Sequence, residues 1–85
     1  MFDVQFTPAG QKDLKKLSKE IRRRMLKKID FFASQSNPTL FARPLVNLPP
    51  ATHRFRVGDY RIAFFMATKT IYIDRIRHRR EVYLH

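Results

Sequence analysis

The sequence contains no cysteine and no tryptophan, and only seven of its 85 residues are acidic. Without cysteine the chain can form neither disulfides nor thiolate zinc sites. The three histidines and the sparse carboxylates show no metal-ligand spacing, so we expect neither a metal nor another cofactor. No apolar run approaches the ~20 residues of a membrane span, and the N-terminus lacks the apolar stretch of a signal peptide. We therefore expect a cytoplasmic protein that does not bind membranes.

Positive charge is abundant: 18 Lys and Arg residues against 7 Asp and Glu give a net charge of +11. A field of this sign attracts polyanions and accelerates their capture. Nucleic acid is the favoured partner, ahead of an acidic protein or an anionic membrane surface; a basic but inert surface is the remaining alternative. Hydrophobic residues make up 44% of the chain, enough for a single domain spanning residues 1–85.

The first half of the chain has the pattern of a strand followed by two helices. Alternating apolar residues at Phe2, Val4 and Phe6 predict a short opening strand. Thr7 precedes a proline at the first helical position, and Ser18 is a second candidate N-cap. These signals predict an αα-hairpin over roughly 8–17 and 19–35. The apolar stripe of the second helix consists of Ile21, Met25, Ile29 and Phe32.

Residues 36–50 hold four of the five prolines and predict an extended connector. We expect its apolar residues to pack against the core: Leu40, Phe41, Leu45, Val46 and Leu48. From Thr52 the period becomes two, which predicts an antiparallel β-meander with a type II′ turn at Gly58-Asp59 and another turn at Thr68-Lys69. The fold class is therefore α+β, with a short N-terminal strand, an αα-hairpin and a small twisted sheet covered by helices on one face.

The first of these turns fixes which side chains share a face of the sheet. A two-residue turn pairs Arg56 with Arg61 and places Arg54 on the same face, while Phe55 faces the helices. Like charges opposite each other destabilise a sheet. An anion between the guanidinium groups explains the pair, because their donors match phosphate oxygens. A solvated arginine face is the alternative.

Continued alternation after the second turn places Tyr72, Asp74 and His78 on the arginine side and His53 on the core side. Asp74 would there neutralise part of the positive charge. Further candidate RNA-binding cations surround His78 or belong to the second helix: Arg75, Arg77, Arg79, Arg80, Lys27 and Lys28.

RNA supplies its own nucleophile, the 2′-OH beside the scissile phosphate. A protein then has only to orient the substrate, transfer protons and stabilise negative charge. Arginines can stabilise charge but cannot act as bases, because guanidinium stays protonated. Proton transfer falls to a histidine, to a lysine or to Tyr83. His78 is favoured, since neighbouring cations favour its neutral form; the alternative for Tyr83 is packing at the C-terminus.

In element order and in two motifs the chain resembles the RelE/ParE superfamily, the toxins of type II toxin–antitoxin systems. The motifs are RFRVGDYR at 54–61 and HRREVY at 78–83, and the likeness covers essentially the whole chain. The resemblance implies a bacterial toxin that enters the ribosomal A site and cleaves mRNA as a metal-independent endoribonuclease. It also implies a cognate acidic antitoxin, with which the toxin forms a hetero-oligomer.

The resemblance assigns catalytic roles to Arg54, Arg56, Arg61 and Tyr83, and it matches a further arginine to Arg77 or Arg79. Two departures stand out. The RelE pattern has lysines on the first hairpin strand, and the ending Tyr83-Leu84-His85 does not clearly match the YoeB-like branch. We place the chain on the RelE-like side, because ParE-like toxins tend to be longer. The alternatives are a ParE-like gyrase poison, a non-catalytic ribosome- or RNA-binding inhibitor, and an RNA-binding module without toxicity.

Overall fold

In the computed structural model, which describes residues 1–82, a helical hairpin covers one face of a five-stranded mixed sheet. The elements are β1 (Asp3–Phe6), α1 (Pro8–Lys16), α2 (Lys19–Ala33), a 3-10 turn (Pro38–Phe41), β2 (Arg43–Pro44), β3 (His53–Val57), β4 (Tyr60–Ala67), β5 (Thr70–His78) and α3 (Arg79–Val82). The strand order is β1-β5-β4-β3-β2, with β1 parallel to β5 and the other neighbours antiparallel. The predicted α+β fold is confirmed, and within residues 1–82 no helix has the length and apolarity to cross a membrane.

Both helices of the hairpin begin at the predicted caps. The Thr7 hydroxyl accepts a hydrogen bond from the Gly10 N–H at 3.1 Å, and the Ser18 hydroxyl accepts one from the Ile21 N–H at 3.3 Å. Each cap satisfies a backbone donor that the helix itself leaves unpaired. Arg22 of α2 donates through Nη2 to the Leu17 carbonyl at the end of α1. A cation at this position also interacts favourably with the dipole of α1. The turn between α1 and α2 is therefore fixed from both sides.

The core lies between α2 and the sheet and is organised by a column of aromatic rings. Phe32 of α2 stacks on Phe55 of β3 with 3.9 Å between ring centroids, and Phe55 stacks on Phe64 of β4 at 4.2 Å. Met25 and Ile29 complete the helix side of this core and are 1% exposed. Full burial of one such side chain contributes about 1.5–3 kcal/mol, so the predicted apolar stripe of α2 is what attaches the helix to the sheet.

The β3–β4 hairpin has the predicted register, with Arg56 opposite Arg61 and Phe55 opposite Ile62. Gly58 has a φ of +59°, whereas Asp59 does not have a positive φ. A positive φ at the first central position alone is the requirement of a type II′ turn. The predicted faces of β3 and β4 are therefore confirmed.

The predicted alternation along β5 is wrong beyond Ile73, because the strand contains a bulge. Phe64 pairs with Ile73, but the preceding residue of β4, Ala63, pairs with Arg75, so Asp74 is an extra residue on β5. The Asp74 carboxylate is buried, and its Oδ1 accepts a hydrogen bond from the Thr7 hydroxyl at 3.0 Å. After the bulge Arg75 and Arg77 face the arginine side, and His78 faces the helix side.

Beyond Ile73 the edge of β5 is covered by α1, since β1 ends there. The Thr7 N–H donates to the Ile73 carbonyl at 3.0 Å, and the Asp13 carboxylate accepts from the Ile76 N–H at 2.9 Å. Between these two bonds α1 touches β5 at Gly10, where an added Cβ would collide with the Ile73 carbonyl oxygen. The backbone of Gly10 therefore sets how closely the helix approaches the strand.

The connector is attached differently from what its leucines predict. Leu40 and Val46 are 78% and 80% exposed, so the expectation that they pack on the core is wrong. The attachment comes instead from Pro38, which is fully buried, and from the Leu45 N–H, which donates to the Thr52 carbonyl. Arg43 and Pro44 form the additional strand β2, which the proline-rich pattern did not predict.

Gly10→Ala is expected to lower the free energy of unfolding by about 1–3 kcal/mol, the typical cost of inserting a group into a filled space. This sign is opposite to helix propensity, since alanine normally stabilises a helix interior by about 1 kcal/mol relative to glycine. Urea unfolding followed by circular dichroism measures the change. Gln11→Ala, at the exposed neighbouring position, is the matched control. Equal or higher stability of Gly10→Ala would contradict the contact between α1 and β5.

Candidate nucleic-acid interface

The sheet face opposite the helices carries two rows of arginines, one from each of two adjacent lines of cross-strand pairs. In the first row Arg61 of β4 lies between Arg56 of β3 and Arg77 of β5. In the second row Arg43, Arg54 and Arg75 flank the small residue Ala63. Side chains that pair directly across strands lie on the same face of a sheet. We call this surface the arginine face: Arg43, Arg54, Arg56, Arg61, Arg75 and Arg77.

Ala63 creates a hollow in the middle of the arginine face. The hollow has a volume of about 220 Å³, and its walls come from the connector and from four arginines: Leu45, Leu48, Arg54, Arg61, Arg75 and Arg77. A second hollow, of about 80 Å³, lies beside it and is lined by Phe41 and by Arg43, Arg54, Arg56 and Arg61. Leu45 and Leu48 thus form one wall of the larger hollow, on the opposite side of the sheet from the core.

Asp74 and Glu81 contribute little negative charge to the arginine face. Asp74, predicted to neutralise part of the arginine face, is 7% exposed and bonded to Thr7. Arg77 forms an ion pair with Glu81 at 3.2 Å, but both side chains are about half exposed, at 41% and 50%. Exposed pairs of this kind contribute about 0–1 kcal/mol. A phosphate can therefore compete with Glu81 for Arg77 at small cost.

His78 does not share the arginine face, contrary to the prediction from simple alternation. It pairs with Tyr60, whose ring meets the imidazole edge-on with 5.0 Å between centroids. The imidazole Nδ1 accepts a hydrogen bond from the Arg80 N–H at 3.1 Å. The bulge at Asp74 is the cause, because it reverses the side on which every later residue of β5 lies.

The other predicted cations lie on helices, outside the arginine face. Arg79 and Arg80 are exposed on α3, which the Arg79 N–H attaches to the Asp59 carbonyl at 2.7 Å. Lys27 and Lys28 belong to α2 and line a hollow of about 550 Å³ that also includes Arg56. Tyr83, the predicted terminal tyrosine, lies outside the described residues.

His53 occupies the structural position predicted for it. It pairs with Phe64 on the helix side of the sheet, and the two rings stack with 5.8 Å between centroids. Its Nδ1 lies 2.9 Å from the Thr52 hydroxyl. Within residues 1–82 no group of three or more His, Asp or Glu side chains could hold a metal ion.

The sequence does contain a signal for the bulge. The apolar positions of β5 are two residues apart at Ile71 and Ile73 and then three apart at Ile73 and Ile76. Since all three are buried, one extra residue must lie between the last two. That spacing would have placed Arg75 and Arg77 on the arginine face. Arg43 gives no such signal, because the strand that carries it is two residues long and includes a proline.

Residues 4–83 match the model of a family described as the ParE toxin of type II toxin–antitoxin systems, parDE. No curated protein sequence matches the chain.

Several solved structures share the fold. A chain of the RelBE2 toxin–antitoxin complex from Mycobacterium tuberculosis is 28% identical, with a TM-score of 0.74 over 92% of this chain and 91% of that one. A chain of the RelB–RelE complex from Methanococcus jannaschii is 27% identical, with a TM-score of 0.68 over 93% and 94%. A chain of the ParDE system from Pseudomonas aeruginosa is 15% identical, with a TM-score of 0.65 over 92% and 96%, and shows the fold alone. Since the family model spans nearly the whole sequence, the chain belongs to the ParE toxin family of type II toxin–antitoxin systems, within the RelE/ParE superfamily.

Proposed function

We propose that this toxin is a ribosome-dependent mRNA endoribonuclease that inhibits translation. The observation that carries the proposal is the row in which Arg61 lies directly between Arg56 and Arg77. Each like-charged pair directly opposite in a sheet costs up to about 1 kcal/mol. An anion bound among the three guanidinium groups offsets that cost, and the phosphodiester of an RNA strand is an anion of matching geometry.

The proposed reaction uses the RNA 2′-OH as the nucleophile. The 2′-oxygen attacks the adjacent phosphorus in line with the 5′-oxygen, the P–O5′ bond breaks, and a 2′,3′-cyclic phosphate and a 5′-OH result. Negative charge builds on the phosphoryl oxygens in the transition state. Arg61, with Arg56 and Arg54 beside it, would stabilise that charge with donors already held in place by the sheet.

Proton transfer requires a group other than these arginines, because guanidinium does not release its proton at physiological pH. We propose Tyr83 for this role, as the superfamily resemblance implies, and we keep His78 as the second candidate. His78 lies on the helix side of the sheet and engages Nδ1 with Arg80, which separates it from the row that would hold the phosphate. Arg75, Arg77, Arg79 and Arg80 would bind flanking phosphates.

A cognate antitoxin is the second proposed partner, because the similar chains from M. tuberculosis and M. jannaschii were solved in complexes with antitoxins. A net charge of +11 and the arginine face favour an acidic antitoxin segment that covers Arg54, Arg56 and Arg61. Such a segment would occupy the same guanidinium groups as RNA, so binding of the antitoxin would exclude the substrate.

One observation favours a different target: the matching family model is that of ParE toxins, for which the resemblance implies poisoning of gyrase. The arginine face would then contact an acidic or nucleic-acid surface without any chemistry. The two proposals differ in whether RNA is cut, so the products of the reaction decide between them.

Arg56→Ala and Arg61→Ala are expected to abolish growth inhibition, because removal of one donor to a developing oxyanion slows a reaction by about 10²–10³-fold. Thermal melting should show that both variants fold, with Arg56→Ala at least as stable as the wild type because a like-charge pair is lost. Arg23→Ala, which removes an exposed arginine of α2, is the matched control and should stay toxic. Full toxicity of both sheet variants would contradict the proposed anion site.

Cleavage should leave a 2′,3′-cyclic phosphate on the upstream fragment and a 5′-OH on the downstream fragment. A substrate with a 2′-deoxy sugar at the scissile nucleotide should bind but remain intact, because its nucleophile is missing. Mass spectrometry of the fragments from programmed ribosomes measures both results. Cleavage of the deoxy substrate would rule out the mechanism, and intact RNA at full toxicity would support the gyrase alternative.

Tyr83→Phe and His78→Gln separate the two candidates for proton transfer. General acid–base catalysis contributes about 10²–10⁴-fold, so Tyr83→Phe should lose that factor in single-turnover cleavage while His78→Gln should lose less than about tenfold. The reverse order would reassign the role to His78. Near-wild-type rates for both variants would move proton transfer to the ribosome or to the RNA.

The rate of association with an acidic antitoxin should fall steeply as salt rises, because exposed charges are screened over about 8 Å at physiological ionic strength. Stopped-flow mixing at several salt concentrations measures this slope for the wild type and for Arg56→Ala. The variant should show the shallower slope. An on-rate that does not depend on salt would place the antitoxin contact away from the arginine face.

A further inference from the structure

A groove on the helix side of the molecule combines exposed aromatic rings with positive charge. It lies between α2 and the end of β3, has a volume of about 550 Å³ and is lined by Arg24, Lys27, Lys28, Phe31, Arg56 and Gly58, with Phe32 and Val57 at its base. We call it the α2–β3 groove. None of the described residues that line it is acidic.

Phe31 of this groove and its neighbour Phe41 extend the aromatic cluster of the core to the surface, with ring centroids 5.9 and 6.3 Å from that of Phe32. Phe31 is 50% exposed and Phe41, in the 3-10 turn beside it, is 48% exposed. The buried stripe of α2 is completed by Phe32, the next residue, so the hydrophobic attachment of the helix does not require Phe31. Single exposed apolar residues are ordinary. Two half-exposed rings in contact, beside a row of cations, form a surface that an aromatic ligand could stack on.

The two rings form a corner. Their centroids are 6.1 Å apart and their planes meet at 77°, an edge-to-face contact that leaves about half of each residue exposed to a flat ligand. The Lys28 ammonium lies 5.8 Å from the centroid of Phe31. A nucleotide offers both complements at once, a planar base for the ring and a phosphate for the ammonium. An acidic polypeptide would offer carboxylates to the ammonium and apolar side chains to the rings. The nucleotide is favoured because the cationic surface continues to the arginine face, where RNA is the proposed ligand.

Arg56 connects this groove with the arginine face. Its side chain lines the α2–β3 groove and also the hollow that contains Arg54, Arg61 and Phe41. Since β2 pairs only with His53 and Arg54 of β3 in the described part of the chain, Arg56 lies on the edge of the sheet beyond β2. A strand held at Arg61 can therefore pass Phe41 and reach Phe31 while remaining on cationic surface.

The turn at Gly58 lies at one end of the groove. A Cβ on Gly58 would lie 3.6 Å from the Arg24 guanidinium, which places that cation beside the bare backbone of the turn. Phosphates that follow the stacked base would meet Arg24 there. From these contacts we propose that the α2–β3 groove binds an unpaired base of single-stranded RNA, stacked on Phe31 and Phe41, in a strand that continues from the arginine face. The proposal rests on the proposed function only in taking RNA as the ligand of the arginine face.

The test compares two strands of equal charge, binding to the full chain by fluorescence anisotropy. One is a single-stranded 2′-O-methyl RNA about a dozen nucleotides long, which lacks the 2′-OH and cannot be cleaved; the other is an abasic strand of the same length. Phe31→Leu and Phe41→Leu should weaken RNA binding by about 5-fold to more than 100-fold, the range for loss of one stacked base. Affinity for the abasic strand should stay unchanged.

Charge and stacking can be separated in the same assay. Lys28→Gln should reduce the slope of log affinity against log salt by about 0.7, the value for one phosphate contact of a single strand. Phe31→Leu should leave this slope unchanged. Leu40→Ala, which removes a 78%-exposed side chain next to Phe41, is the matched control and should bind both strands like the wild type.

Several outcomes would overturn the proposal. Wild-type RNA affinity in Phe31→Leu would show that no base stacks there, and an equal loss for the abasic strand would show that the rings act only through the fold or the charge. An equal loss of binding to poly-L-glutamate would assign the groove to an acidic polypeptide. The proposed cleavage is judged separately, since the binding strand is uncleavable. Stacking could hold while Arg61→Ala stays toxic, or fail while Arg61→Ala loses toxicity.

Discussion

The hydrogen bond between the Thr7 hydroxyl and the buried Asp74 carboxylate is the constraint on which the arrangement of the candidate site depends. Asp74 reaches Thr7 because it is the extra residue of the β5 bulge, and the bulge reverses the faces of the residues that follow. With it, Arg75 and Arg77 join the arginine face. Without it, a uniform strand would turn both away and place His78 there instead. The same hydroxyl caps α1, so the start of the helix and the composition of the site are linked through one side chain.

The like charges of the arginine face destabilise the sheet locally, and packing on the other face compensates for this. Arg61 has an arginine opposite it on each side, which disfavours the pairing of β4 with both neighbours. The other face of the same strands provides the compensation, since the ring column from Phe32 through Phe55 to Phe64 holds β3 and β4 against α2. Proteins commonly violate a local rule where they bind or react and compensate for it elsewhere. The sequence pattern that is poor for stability is therefore the one that marks the candidate site.

The features that the sequence predicts correctly are those whose signals act over a few residues. The caps at Thr7 and Ser18 act within three residues, and the turn at Gly58 determines the pairing of Arg56 with Arg61 by counting outward. The partner of Asp74, in contrast, lies 67 positions earlier in the chain. No local pattern predicts such a bond, although the change in apolar spacing before Ile76 indicates that β5 contains a bulge. The attachment of the connector was not predicted for a related reason, since Leu45 and Leu48 line the hollow on the arginine face instead of packing on the core.

Because β2 is short, the cationic surface continues around the edge of the sheet from the arginine face to the helix side. Counting from the pairs Arg43–Arg54 and Pro44–His53, the residue opposite Arg56 would be Phe41. Phe41 belongs to the 3-10 turn, so in the part of the chain that the structure describes β2 pairs with β3 only through Arg43 and Pro44. A longer β2 would have paired with Arg56 and confined its side chain to one face of a wider sheet. Because the strand stops, Arg56 remains at an edge and lines hollows on both sides. The 3-10 turn that precedes β2 thus leaves the cationic surface running around the edge of the sheet, and a flexible single strand can follow such a surface where a rigid duplex could not.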